Sequence, residues 1–311
     1  MKSDIACNRL QWPDIVKGIG IILVVITHTN ILPSFLIKWI FTFHVPVFFF
    51  ISGLFYKKCG YKTYIRKKSK GLLKPYFEYA LAFFIVDFII EGEAFIPQIP
   101  DRLFEVFLGK YSALWFLMAL FVCEILLYLV DNISAKELIK VVIIIVFVLL
   151  GAILIHFDVD LPFYFINAIM MLPFLYTGQL VRKYNLAERI NKRLVYAIIL
   201  TLAVNIGFCC LNSFCDVRRN EYGNLIYFYV SGMAGTFMLS LCAIAIRHLD
   251  ILELIGRNTL CIFALNTFIP LRLSKLSWAP GGLIRKLISA LILIVAVAIS
   301  EWSKRKKKVN M

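Results

Sequence analysis

The stretch PDIVKGIGIILVVITHTNI, residues 13–31, decides how the chain is read. A bilayer core about 30 Å thick needs roughly 20 mostly apolar residues per helix, and this run has that length and character. Nine more follow, at approximately 37–56, 72–91, 112–130, 138–156, 163–181, 194–212, 224–246, 257–273 and 283–302, the ninth interrupted by Asn258, Asn266 and Pro270. The runs are continuous where an outer-membrane barrel would alternate, so they read as helices. Composition agrees: 61% of the 311 residues are hydrophobic and 17% charged, with a mean hydropathy of +0.82. A soluble domain runs roughly 45–50% apolar and about 25% charged. A soluble enzyme, a disordered chain and a secreted disulfide scaffold are thereby excluded. The expected fold is an all-α polytopic membrane bundle of about ten transmembrane helices, with no repeat or linker to divide residues 1–311 into more than one integral domain.

Thirty-four Lys and Arg stand against 19 Asp and Glu, for a net charge of +15. In a multispanning protein that excess belongs first to cytoplasmic loops, with no nucleic-acid partner implied. With the N-terminus inside, 24 basic residues fall on inner segments and nine on outer ones, among them Arg218 and Arg219, while Lys17 lies within the first run. Both termini are therefore expected in the cytoplasm, and the protein in the inner (cytoplasmic) membrane. Lys17 and the lack of a small-residue cleavage pattern argue that the first run is a structural helix and not a signal peptide. The eight cysteines show no metal-ligand spacing and read as small buried hydrophobes.

Ionisable residues inside a span are costly and tend to be functional. At 100° per residue, Asp14, Lys17 and His28 share one face of the first helix, with Lys17 and His28 about 16 Å apart along the axis. Asp14 and Lys17 fit an i, i+3 ion pair near the interface as well as they fit a functional role. His28 is a buried hydrogen-bonding residue or a functional one. His44, in FHVPVFFFISGLFY, is expected on the same side of the membrane as His28, so two of the four histidines meet at the ends of adjacent antiparallel helices. No third ligand is spaced for a metal. The segment KKCGYKTYIRKKSKGLLK, Lys57 to Lys74, serves topology and contact with anionic membrane lipid, or docks an anionic cofactor.

DIVKGIGIILVVITH (Asp14 to His28) followed by FHVPVFFFISGLFYKK (Phe43 to Lys58) resembles the opening of the acyltransferase family 3 membrane proteins. Lys in place of the commoner Arg before the histidine is similar to the fucose 4-O-acetylase branch. LLKPYF (Leu72 to Phe77), SALWFLMALF (Ser112 to Phe121), LPFLYTGQLVRK (Leu172 to Lys183) and LELIGRNTLCIFALN (Leu252 to Asn266) match in the same order. Many relatives carry His where this chain has Asn266.

The resemblance implies transfer of an acyl group, usually acetyl, from cytoplasmic acyl-CoA to a hydroxyl of a cell-surface saccharide or its lipid-linked precursor. Acetyl-CoA then enters as donor and co-substrate, without a metal. Its phosphates would dock on Lys17, Arg66, Lys67, Lys68 and Lys70, and its arm would run along the first helix. His28 would act as base, with His44 and Asp14 as further candidates for the catalytic set. Trp115, Glu78 and Asn266 are candidates for binding the acceptor. Direct transfer and an acyl-histidine intermediate both remain open, as does the oligomeric state. The competing reading is a transporter or flippase for an anionic or saccharide solute, with the polar stripe lining its path.

Overall fold

A backbone in hydrocarbon has no water to bond with, so each apolar run must satisfy its amides within itself and folds as helix. The computed structural model describes residues 11–28, 32–111, 114–189, 193–273 and four positions between 294 and 301. Its helices are α1 Trp12–Thr27, α2 Ser34–Phe41, α3 Pro46–Leu54, α4 Tyr61–Lys68, α5 Lys74–Glu91, α6 Ile99–Phe107, α7 Trp115–Ile133, α8 Glu137–His156, α9 Phe165–Lys183, α10 Leu194–Leu211, α11 Leu225–Ile246, α12 Asp250–Arg257 and α13 Thr259–Leu273, and no strand forms among the described residues.

The chain is an all-α, multi-pass membrane bundle. Six segments are long and apolar enough to cross a bilayer: Ser34–Leu54, Trp115–Ile133, Glu137–His156, Pro162–Lys183, Leu194–Leu211 and Leu225–Ile246. They become seven if α12 and α13, bent by 65°, count as one span. The expected ten are not reached among the described residues, for three reasons. Helix α1 has only 16 residues, α5 carries Lys74, Glu78, Asp87 and Glu91, and the run 283–302 lies outside the described residues except at four positions.

Bare glycines set the closest helix crossings. A Cβ on Gly53 of α3 would sit 1.9 Å from the Leu175 carbonyl oxygen of α9, and one on Gly178 of α9 would sit 2.0 Å from that of Phe50. The α1–α12 crossing is as tight, with a Cβ on Gly256 falling 1.8 Å from the Asp14 oxygen. Such contact lets backbones approach where lipid offers no hydrophobic drive between helices. Three buried carboxylates are paired across the bundle. Arg272 of α13 forks onto Asp87 of α5, and Lys140 of α8 lies 2.5 Å from Asp131 of α7. Lys68 lies 2.5 Å from Glu124 of α7. Helices α8 and α10 leave most of their apolar surface bare, as lipid-facing elements do.

Candidate active site

Pro46 has no amide hydrogen and its ring crowds the carbonyl four residues back, so the second apolar run cannot stay one regular helix. It turns over residues 42–45, between α2 and α3, and His44 is buried in that turn. His44 Nδ1 lies 3.0 Å from the Ile40 carbonyl oxygen. A carbonyl only accepts, so Nδ1 carries the proton, and in the neutral ring Nε2 keeps its lone pair. His28 caps the end of α1. Both histidines border one chamber of about 360 Å³, together with Trp115, Asn266, Asp216 and Arg218.

A second chamber, about 300 Å³, lies towards the other end of α1 and is bordered by Lys17, Ser52, Gly71 and Arg257. The two chambers share three wall residues, Phe48, Phe116 and Phe263. Phe116 is central, with ring centroids 5.9 Å from Phe48 and 5.3 Å from Phe263. The face of α1 read from sequence therefore runs past two consecutive spaces divided by aromatic rings. A π-helical turn, Ser69–Leu73, joins α4 to α5. Its Gly71 borders the Lys17 chamber, while the preceding Lys70 borders a cleft of about 360 Å³ with Lys62, Arg66 and Lys67. Such widened turns often mark functional sites.

The expected residues divide clearly. His28, His44, Trp115 and Asn266 come together, Lys17 opens into the neighbouring chamber, and Arg66, Lys67 and Lys70 line the basic cleft. Lys68 turns away from that cleft to Glu124, which also accepts from Ser52 at 2.5 Å and Tyr64 at 2.6 Å. Asp14 is buried beside Lys17 at 2.6 Å, about 21 Å along the helix from His28. Glu78 is exposed, lies 3.5 Å from Lys74 and borders none of these cavities.

The dividing phenylalanines went unread because Phe in an apolar run is the ordinary case. Arg218 and Arg219 did carry a signal, as a pair of outer arginines against the positive-inside bias. Buried Cys215, in the same loop, has its thiol pushed up to about 11 by desolvation, so it is no nucleophile at neutral pH. Among the described residues no group of His, Cys, Asp and Glu is placed to hold a metal ion. A further cavity, about 640 Å³, is mostly apolar, lies against α1 and α12, and contains neither histidine.

An imidazole lone pair at the wall of one chamber can take a proton, and cations at the mouth of the next can hold an anion. Neither the curated proteins nor the solved structures include a match to this chain. A family model described as an acyltransferase domain matches residues 10–300. With its polar helix face, histidine pair and membrane bundle inside that match, the chain belongs to the acyltransferase 3 family of membrane acyltransferases.

Proposed function

We propose that the protein is an O-acetyltransferase of the inner membrane, taking acetyl from cytoplasmic acetyl-CoA and placing it on a hydroxyl of a cell-surface saccharide or its lipid-linked precursor. The observation that carries this reading is the pair of chambers along α1, one with cations and one with histidines, meeting at three shared phenylalanines. CoA is polyanionic at one end and carries its thioester at the tip of a long arm. The phosphates rest on Arg66, Lys67 and Lys70, with Lys17 as a point charge at the chamber entrance. The arm passes Gly71 and follows α1 for roughly the 16 Å that separate Lys17 from His28. The acceptor enters from the other side, where the charge pattern puts the outer face.

A sugar hydroxyl ionises far above neutrality, so it needs a base as it attacks. His28 accepts that proton while a new C–O bond forms at the acyl carbon. The C–S bond then breaks, and the CoA thiolate takes the proton back from the imidazolium. His44 Nε2, fixed by the Ile40 bond, holds an acceptor position in the same chamber. A positioned base contributes about 10²–10⁴-fold.

Purified full-length protein, labelled acetyl-CoA and a panel of surface glycans test this directly. Label is expected in a glycan with free CoA released in step, and His28→Ala is expected to lower the rate at least about a hundredfold while the protein still folds. Acetyl-CoA left unconsumed with every glycan, or a His28→Ala variant at full rate, sinks the reading. Lys17→Ala is expected to raise KM for acetyl-CoA more than KM for the acceptor, and equal changes contradict the division between the chambers.

A further inference from the structure

Beside the histidine chamber lies another cavity, about 310 Å³, that has no part in the steps above. Lys110, Asp158, Asp160, Tyr164 and Asn167 border it, and Arg218 and Arg219 border both spaces. Trp115 on the histidine side and Tyr164 on the other have ring centroids 5.6 Å apart, tilted by 47°. Flat apolar surface thus continues from one cavity into the next, which suits the faces of linked sugar rings.

The loop holds the two arginines there by several bonds. Asp216 and Glu221 exchange backbone hydrogen bonds of 2.7 and 3.0 Å. The Asp216 carboxylate accepts from the Arg218 amide at 2.9 Å. Asn220 turns the chain at φ 59°, and buried Asn167 of α9 donates to the carbonyls of Val217 and Arg218. Nearby carboxylates are largely engaged, since Asp216 lies 3.6 Å from Arg219 and Asp160 pairs with Lys110. Asp158 borders only the second cavity. Arg218 is exposed and has no ion pair among the described residues. A guanidinium fork on a pinned loop, at the junction of two cavities, suits bidentate contact with a carboxylate or phosphate.

We propose that this second cavity is an acceptor subsite for an anionic saccharide. The carboxylate or phosphate of one sugar rests on Arg218, its ring lies against Tyr164 and Trp115, and the adjoining sugar presents its hydroxyl in the histidine chamber. Asp158 accepts from sugar hydroxyls at the far end. The proposal rests on the transferase reading and narrows its substrate class.

The test uses full-length protein and three matched oligosaccharides: neutral, carboxylate-bearing and phosphate-bearing. Binding is measured without acyl donor, and transfer from labelled acetyl-CoA separately. At least one anionic series is expected to bind on the order of tenfold tighter than the neutral one, the gain of a charge-assisted bond. The two anionic arms identify which group is held. In Arg218→Gln the ratio of anionic to neutral affinity is expected to fall towards one, with Arg218→Lys between. Equal binding of all three, or a preference that survives Arg218→Gln, overturns the subsite. Arg218-dependent binding without transfer to any saccharide leaves the subsite standing and removes the transferase reading. Transfer with no anionic preference does the reverse.

Discussion

Lys68 differs from its basic neighbours in pairing inward with Glu124, while Arg66 and Lys67 border the cleft. It follows Tyr64 by four residues, 40° past a full turn, so it shares the inward face on which Tyr64 is buried. Arg66 lies 200° from Tyr64, and Lys67, 60° to the other side of it, borders the basic cleft with Arg66. Removing Lys68 leaves Glu124, fully buried, without its counter-charge. Breaking a buried pair costs about 3–5 kcal/mol. Lys68→Ala is therefore expected to melt well below the parent in the same detergent, with KM for acetyl-CoA unmoved. Lys67→Ala is expected to do the opposite, and a Lys68→Ala variant that melts normally contradicts the pairing. Sequence grouped Lys68 with the cofactor cations because a run of charges shows composition before direction. His28, His44 and Lys17 stood out as candidates because an ionisable side chain in an apolar run contrasts with its neighbours. The tautomer of His44 was not legible, since it depends on where the Ile40 carbonyl sits after Pro46 breaks the helix.

At the scale of helices, glycine contacts separate the crossings that tolerate change from those that do not. Gly178 has the Phe50 oxygen where its Cβ would stand, while Gly207 of α10 has nothing within 4 Å. Gly178→Leu must push α9 from α3, and α3 begins at the turn that carries His44. It is expected to lower the melting temperature and to depress transfer, because overpacking costs about 1–3 kcal/mol or more where backbone is the obstacle. Gly207→Ala is expected to hold or raise the melting temperature, since Gly within a helix costs roughly 0.5–1 kcal/mol relative to Ala. Equal losses in the two variants would show that α3 and α9 are not in this contact. The apolar runs announced most of these helices in advance. Less legible were the interruptions, because whether Pro46 or Asn258 bends a span depends on which neighbours take up the freed backbone groups.

Only the whole molecule brings the chambers into being. Their walls come from α1, α2–α3, the π-helical turn, α7, α12, α13 and the 212–224 loop, and a helical period reports one face at a time without naming its partner. The three phenylalanines gain their role from that assembly, standing where the cation chamber ends and the histidine chamber begins. Under the proposed reaction, the thioester must reach His28 while water from the outer chamber stays off the acyl carbon. Phe116 contacts both other rings, so truncating it opens the divider more than truncating either alone. Phe116→Ala is expected to raise hydrolysis of acetyl-CoA in the absence of acceptor and to lower the ratio of transfer to hydrolysis. Phe116→Leu, which keeps apolar bulk, is expected to fall between. The measurement is free CoA thiol against label in glycan, with and without acceptor, for the three proteins at matched melting temperatures. A ratio that stays constant across the series would mean that the rings do not stand between donor and water, and that the two cavities do not form one path.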